Sequence, residues 1–140
     1  MLETEPKLKE SYVKTGRVKL VFRHILDFGE PSLFASQAAE CAGDQGAFWA
    51  MHGLLYQRQD AVWTADAALF KGWAKDDLHI DADAFAGCLT SSKYKSKVEA
   101  QYAAARASGV RIRPTFDING KRVQGAISFD EFRKILDALP

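Results

Sequence analysis

Residues 108–132 read SGVRIRPTFDINGKRVQGAISFDEF, and the rest of the chain is organised around them. The dipeptide Asn119-Gly120 separates PTFDI from KRVQG. Asn-Gly readily takes the positive φ angles of a two-residue turn, so the stretch predicts a β-hairpin. Pro114 stands at its mouth, where it removes a backbone donor and restrains Arg113 before it. Read from the residues alone, it is an ordinary trans proline opening a strand. Ser128 with Glu131 three residues later forms a capping box, and Ile127 with Phe132 supplies a hydrophobic staple. A terminal helix to about Leu139 is therefore predicted.

The chain before the hairpin is mostly helical. TEPKLKESYVKTG (4–16) predicts a helix with Pro6 in its first turn, Glu3 and Glu5 near its positive end and Gly16 as its stop. In RVKLVFRHI (17–25), Val18, Leu20 and Phe22 alternate with Arg17, Lys19 and Arg23, the pattern of a strand. Residues 32–59 are rich in Ala, Leu and Gln, with Gly43 and Gly46 expected to break them into two helices. Phe48, Met51, His52 and Leu55 mark one face of the second. Two short helices follow, with Thr64 and Asp81 as expected N-caps. SSKYKSKVEAQYAAARASG (91–109) predicts another helix, opened by serine and closed by Gly109. The order is helix, strand, helical block, hairpin, helix, which is an α/β layout with a helical insertion.

Composition sets the outer bounds. A chain of 140 residues with 47% hydrophobic and 26% charged residues is ordinary for one globular domain. A net charge of +1 gives no field for nucleic acid or an anionic membrane, and no apolar run approaches the roughly 20 residues of a membrane span. The opening MLETEPKLKE is too polar for a signal peptide. Cys41 and Cys88 make no C-x-x-C, and His24, His52 and His79 make no H-E-x-x-H or Cys/His cluster. No metal site or cofactor is expected, and the histidines read as surface or helix-packing residues.

Taken in order, YVKTGRVKLVFRHI, AAECAGDQGAFWAMHGLLYQRQ, FAGCLTSSKYKSKV and GVRIRPTFDINGKRVQG resemble the DsbA-like thiol:disulfide oxidoreductases over nearly the whole chain. The resemblance implies a thioredoxin-like (DsbA-type) sheet with a helical insertion, incomplete at the N-terminus. Residues 1–140 then form a single domain, with the insertion over 29–109. It implies dithiol-disulfide exchange on protein or peptide substrates in a periplasmic or other extracytoplasmic setting. It implies that Pro114 is cis and that Arg113 and Pro114 meet substrate, because the bend exposes backbone that an extended peptide can pair with. Arg113 departs from the small or β-branched residue usual there, and its charge favours acidic partners or crowds the groove. The family's C-x-x-C and its strand precede the first helix, so the chain is expected to lack both, by truncation or natural loss, and to be redox-inactive. No catalytic residue is then assigned. Cys41 and Cys88 match a second pair that some members join as a structural disulfide; otherwise they are two buried thiols. The alternatives are a non-catalytic peptide-binding or chaperone-like module, or a structural oligomerising fragment. Loss of the central strand leaves open edges that Val18–Ile25 and Thr115–Ile118 close by pairing, or that a homodimer covers.

Overall fold

A computed structural model describes residues 2–139. They fold into two compact units, one of residues 2–22 with 106–139 and one of residues 23–105.

In the first unit, α1 (Thr4–Leu8) continues into a π-helical turn, Lys9–Val13, and the chain leaves through Gly16 at φ 76°. β1 (Thr115–Ile118) and β2 (Lys121–Gln124) form the expected antiparallel hairpin, with Phe116 opposite Val123 and Ile118 opposite Lys121. Asn119 and Gly120 take φ 49° and 87°, the left-handed values that the turn demands. α8 (Phe129–Asp137) begins at Ser128, whose capping box with Glu131 is complete. Its apolar face carries the buried Phe132 and Leu136. The Phe116 ring meets Phe132 edge-on at 4.7 Å, and Tyr12 lies 6.5 Å from Phe129. Tyr12 donates to Asp137 at 3.0 Å, which fixes the first helical stretch on the last.

The strand expected over Val18–Ile25 does not form. Exposure alternates through Arg17–Phe22, with Val18, Leu20 and Phe22 half-buried and Arg17, Lys19 and Val21 exposed. The in-and-out alternation implied by the sequence is present, but the only sheet among the described residues is the hairpin. A strand is defined by its ladder, and this segment has none. The expected direct pairing of Val18–Ile25 with Thr115–Ile118 is likewise not made.

The second unit is helical. α2 (Glu30–Gly43) starts after Gly29 with Pro31 in its first turn, where a missing N–H costs nothing. Gly46 at φ 75° turns the chain into α3 (Phe48–Gln57), and α4 (Gln59–Val62) follows. α5 (Ala67–Asp76) is capped by Asp66, which accepts from the Leu69 N–H at 2.8 Å. Thr64 is therefore not the N-cap: a carboxylate two residues on sits directly before the helix. α6 (Ala82–Thr90) is capped by Asp81 as expected, through the N–H groups of Asp83 and Ala84. Gln45 clamps Asp81 from both sides, donating to its carbonyl at 3.0 Å and accepting from its N–H at 2.8 Å. α7 (Lys95–Ala107) ends before Gly109.

The core of this unit packs small residues of α2 (Ala38, Ala39, Ala42) against Met51, Phe70, Trp73, Phe85 and Leu89. Cys41 and Cys88 are joined there as a disulfide between α2 and α6, with Cα atoms 5.8 Å apart. His24 is also buried, with its Nε2 3.0 Å from Glu40 of α2 and its backbone N–H donated to the Gln101 Oε1 of α7 at 3.2 Å. The second Glu40 oxygen accepts from Lys97 at 2.6 Å, and Phe48 of α3 lies edge-on to the imidazole. Burial pushes the His24 imidazole below its ordinary 6.5, outweighing the hydrogen bond to Glu40, which pulls upward.

Two expectations follow. A cross-link between residues 47 apart in sequence removes about 4 kcal/mol of loop-closure entropy from the unfolded chain. Cys41→Ala with Cys88→Ala should lower unfolding stability by about 2–4 kcal/mol in urea titrations. For His24, a folded pKa below the unfolded one means that the unfolded chain binds the extra proton first. Stability is thus full above pH 6.5 and declines as pH falls below it. Asp44, Asp77 and Asp83 are held below their ordinary 3.8 by hydrogen bonds from Lys93, Arg58 and Lys71, so their contribution fades only in a separate, more acid window. Melting temperature against pH should show the upper decline in the wild type and lose it in His24→Gln.

Candidate functional site

The chain between α7 and β1 is a turn held by arginines. Arg106 Nη1 donates to the Val110 carbonyl at 3.2 Å. Arg111 Nη1 donates to the carbonyls of Arg106 at 2.6 Å and Val110 at 2.9 Å. From β2, Arg122 Nη1 reaches the Ser108 carbonyl at 2.7 Å. Gly109 supplies the positive φ, 86°, that lets α7 stop and the chain reverse. A short turn with several carbonyls pointing outward needs donors, and the guanidinium forks provide them.

After this turn come Arg111, Ile112 and Arg113, all exposed, with Ile112 retaining 49% of its accessible surface. The Arg113–Pro114 peptide is cis. Thr115 donates its hydroxyl to the Ile112 carbonyl, and the Gly125 N–H donates to the Pro114 carbonyl at 2.8 Å. That last bond fixes which way β1 faces. Hydrogen-bonded and non-hydrogen-bonded pairs alternate along an antiparallel ladder. With Pro114 bonded to Gly125, Phe116 and Ile118 turn their backbone groups to β2, while Thr115 and Asp117 turn theirs outward. Among the described residues no second strand meets that outer edge. It begins one residue after Pro114.

The residues expected to matter fall in two places. Arg113 and Pro114 lie at this open edge. Cys41 and Cys88 lie in the helical unit, bonded to each other, with Cys41 fully buried. Sequence reasoning missed the part played by Arg106, Arg111 and Arg122 in holding the turn. Their crowding into 106–122 was visible, but carbonyl contacts leave no sequence pattern. Among the described residues no group of three or more His, Cys, Asp or Glu side chains has the arrangement of a metal site.

The family profile described as Thioredoxin matches residues 1–138. The chain belongs to the thioredoxin family. Its fold is that of a DsbA-like disulfide oxidoreductase: the oxidised BdbD of Bacillus subtilis superposes with a TM-score of 0.79 at 22% identity, covering 94% of this thioredoxin-family chain and 74% of BdbD. The Na(+)/H(+) antiporter NhaA 3 of Salinispora tropica is 33% identical over 130 residues, which are 91% of this chain and 19% of the antiporter. The probable disulfide bond formation protein D of Bacillus anthracis is 28% identical over 137 residues, 94% of this chain and 62% of that protein. The chain thus spans about a fifth of the antiporters and under two thirds of the disulfide formation proteins. No helix among its described residues is long and apolar enough to cross a membrane.

Proposed function

We propose that residues 1–140 form the polypeptide-docking part of a DsbA-like thiol:disulfide oxidoreductase acting on extracytoplasmic proteins. The observation that supports this most directly is the outer edge of β1, with Thr115 and Asp117 presenting N–H and C=O groups beside Pro114. An extended peptide satisfies such an edge by adding as a strand, whatever its sequence, which suits an enzyme family that handles many proteins. Arg113 and Pro114 are the substrate-facing residues on this reading. The disulfide formation protein of Bacillus anthracis and the fold shared with BdbD agree with it.

By themselves these residues carry out no disulfide exchange. Exchange needs an accessible, low-pKa thiolate and a second thiol to resolve the mixed disulfide. Residues 1–140 contain no C-x-x-C, and their two cysteines are joined inside the helical core. The Cys41–Cys88 bond acts as a staple. The chain is expected to give no acceleration of insulin reduction by dithiothreitol and none of oxidative refolding of a reduced protein. Turnover that disappears in Cys41→Ser would overturn the assignment of that bond.

The same edge supports self-association. Two copies that pair edge to edge about a twofold axis close both open strands at once, the commonest arrangement for identical chains. Light scattering after size exclusion should show mass rising toward a dimer with concentration. A single monomeric mass at all concentrations counts against the dimer.

A further inference from the structure

Residues 24–70 are short of cations. They contain six aspartates and glutamates and a single lysine or arginine, Arg58. Arg58 is closed on Asp77 through two bonds of 2.8 and 2.6 Å, a fork on a carboxylate. The acids are not all answered in the same way. Glu40 accepts from Lys97 at 2.6 Å and Asp44 from Lys93 at 2.7 Å. Glu30, Asp60 and Asp66 are exposed, and among the described residues none of the three meets a lysine or arginine. Asp66 gives one oxygen to the Leu69 N–H, which caps α5 and leaves the charge in place.

Two large rings stand beside these carboxylates in the chain. Phe28 lies two residues before Glu30, and Trp63 lies three residues from both Asp60 and Asp66. Each ring keeps 48% of its residue's surface exposed. Although distant in sequence, they meet edge-on, with centroids 5.1 Å apart and planes at 79°. Single apolar side chains are ordinary on a surface; two large rings packed on each other and still half in water make a patch. The Phe28 backbone N–H donates to Ser32 in the first turn of α2 at 3.2 Å, which fixes that ring's base. Asp60 precedes Trp63 at the i, i+3 spacing that brings helical side chains to one face. The patch is thus ordered before any partner arrives, so little freedom is lost on binding.

We infer that Phe28 and Trp63, with Glu30, Asp60 and Asp66 beside them, form a contact surface for a polypeptide segment of another protein that carries arginine or lysine next to apolar side chains. An aromatic face attracts a cation, tryptophan most strongly, and the same rings bury a neighbouring apolar group. Carboxylates at the rim favour that cation over a neutral side chain. An anionic lipid surface matches the rings but is repelled by the carboxylates. This surface belongs to the helical unit and offers side chains, where the β1 edge offers backbone. It therefore adds a preference that strand addition alone does not give.

The test uses the whole chain and two short synthetic peptides, one of arginine alternating with leucine and one with glutamine in place of each arginine. Binding is followed by the indole N–H signals in nitrogen–proton NMR spectra, which separate Trp63 from Trp49 and the buried Trp73. The arginine peptide should move the Trp63 signal and bind about threefold to tenfold more tightly than the glutamine peptide at low salt, a preference that fades near 1 M salt. Glu30→Gln with Asp60→Asn changes only exposed side chains and should remove most of that preference. Trp63→Ser should weaken the arginine peptide severalfold, and Trp63→Phe should recover part of the loss. If Trp63→Ser does not fold, the carboxylate variant decides alone. Equal affinity for the two peptides overturns the inference. A peptide that shifts the Thr115 and Asp117 amides but not the Trp63 indole binds by strand addition, which overturns this inference and leaves the docking reading standing. No response to either peptide, or a Trp63 signal that answers phosphatidylcholine vesicles instead, overturns it as well.

Discussion

Backbone N–H and C=O groups must find partners when they leave water, and this chain meets that requirement unevenly. The helices of the second unit meet it internally and at their ends, through Asp66, Asp81 and the Gln45 clamp. The hairpin meets it on one side. Phe116 and Ile118 face β2, while Thr115 and Asp117 face outward. Arg17–Phe22 keeps the alternation of a strand without a ladder. The requirement is left open along the outer edge of β1.

How far the sequence disclosed this depends on the range of each interaction. Asn119-Gly120, the Ser128–Glu131 box, Asp81 and Gly109 were legible because each acts on its own neighbours within a few residues. The α5 cap was displaced from Thr64 to Asp66 because two capping residues stand two apart, and only the helix's packing decides which precedes its first turn. Alternation in 17–25 was real, but a strand also needs a partner, and pairing is not encoded in the segment that pairs. The cluster of His24, Glu40 and Lys97 joins residues 16 and 57 apart, and no spacing rule announces it. Beside the open edge of β1, Pro114 and Arg113 were conspicuous in sequence. The turn that positions them depends on arginine-to-carbonyl bonds that any basic stretch equally permits.

The two units are also secured by different means. The helical unit has a disulfide between α2 and α6, a core of fully buried side chains and a buried His24–Glu40 contact. Its unfolding is opposed by burial and by a constraint on the unfolded chain together. The other unit relies on Tyr12, Phe132 and Leu136, on ring contacts of Phe116 with Phe132 and of Tyr12 with Phe129, and on part-buried and exposed hydrogen bonds. Segments with fewer buried contacts open at lower free energy than those in a closed core. The hairpin belongs to such a segment, while the disulfide-linked helical unit does not.

Arginine serves both ends of this contrast, and the acceptor decides which. On Asp77, the Arg58 guanidinium closes a bidentate pair and adds little field beyond its immediate surroundings. On the carbonyls of Arg106, Ser108 and Val110, the guanidiniums of Arg111 and Arg122 act as braces, each bond oriented and short, while their charge remains. A turn stabilised by carboxylates would have held its shape equally well and lost its charge. One built with carbonyls keeps both shape and charge at the entrance to an open strand.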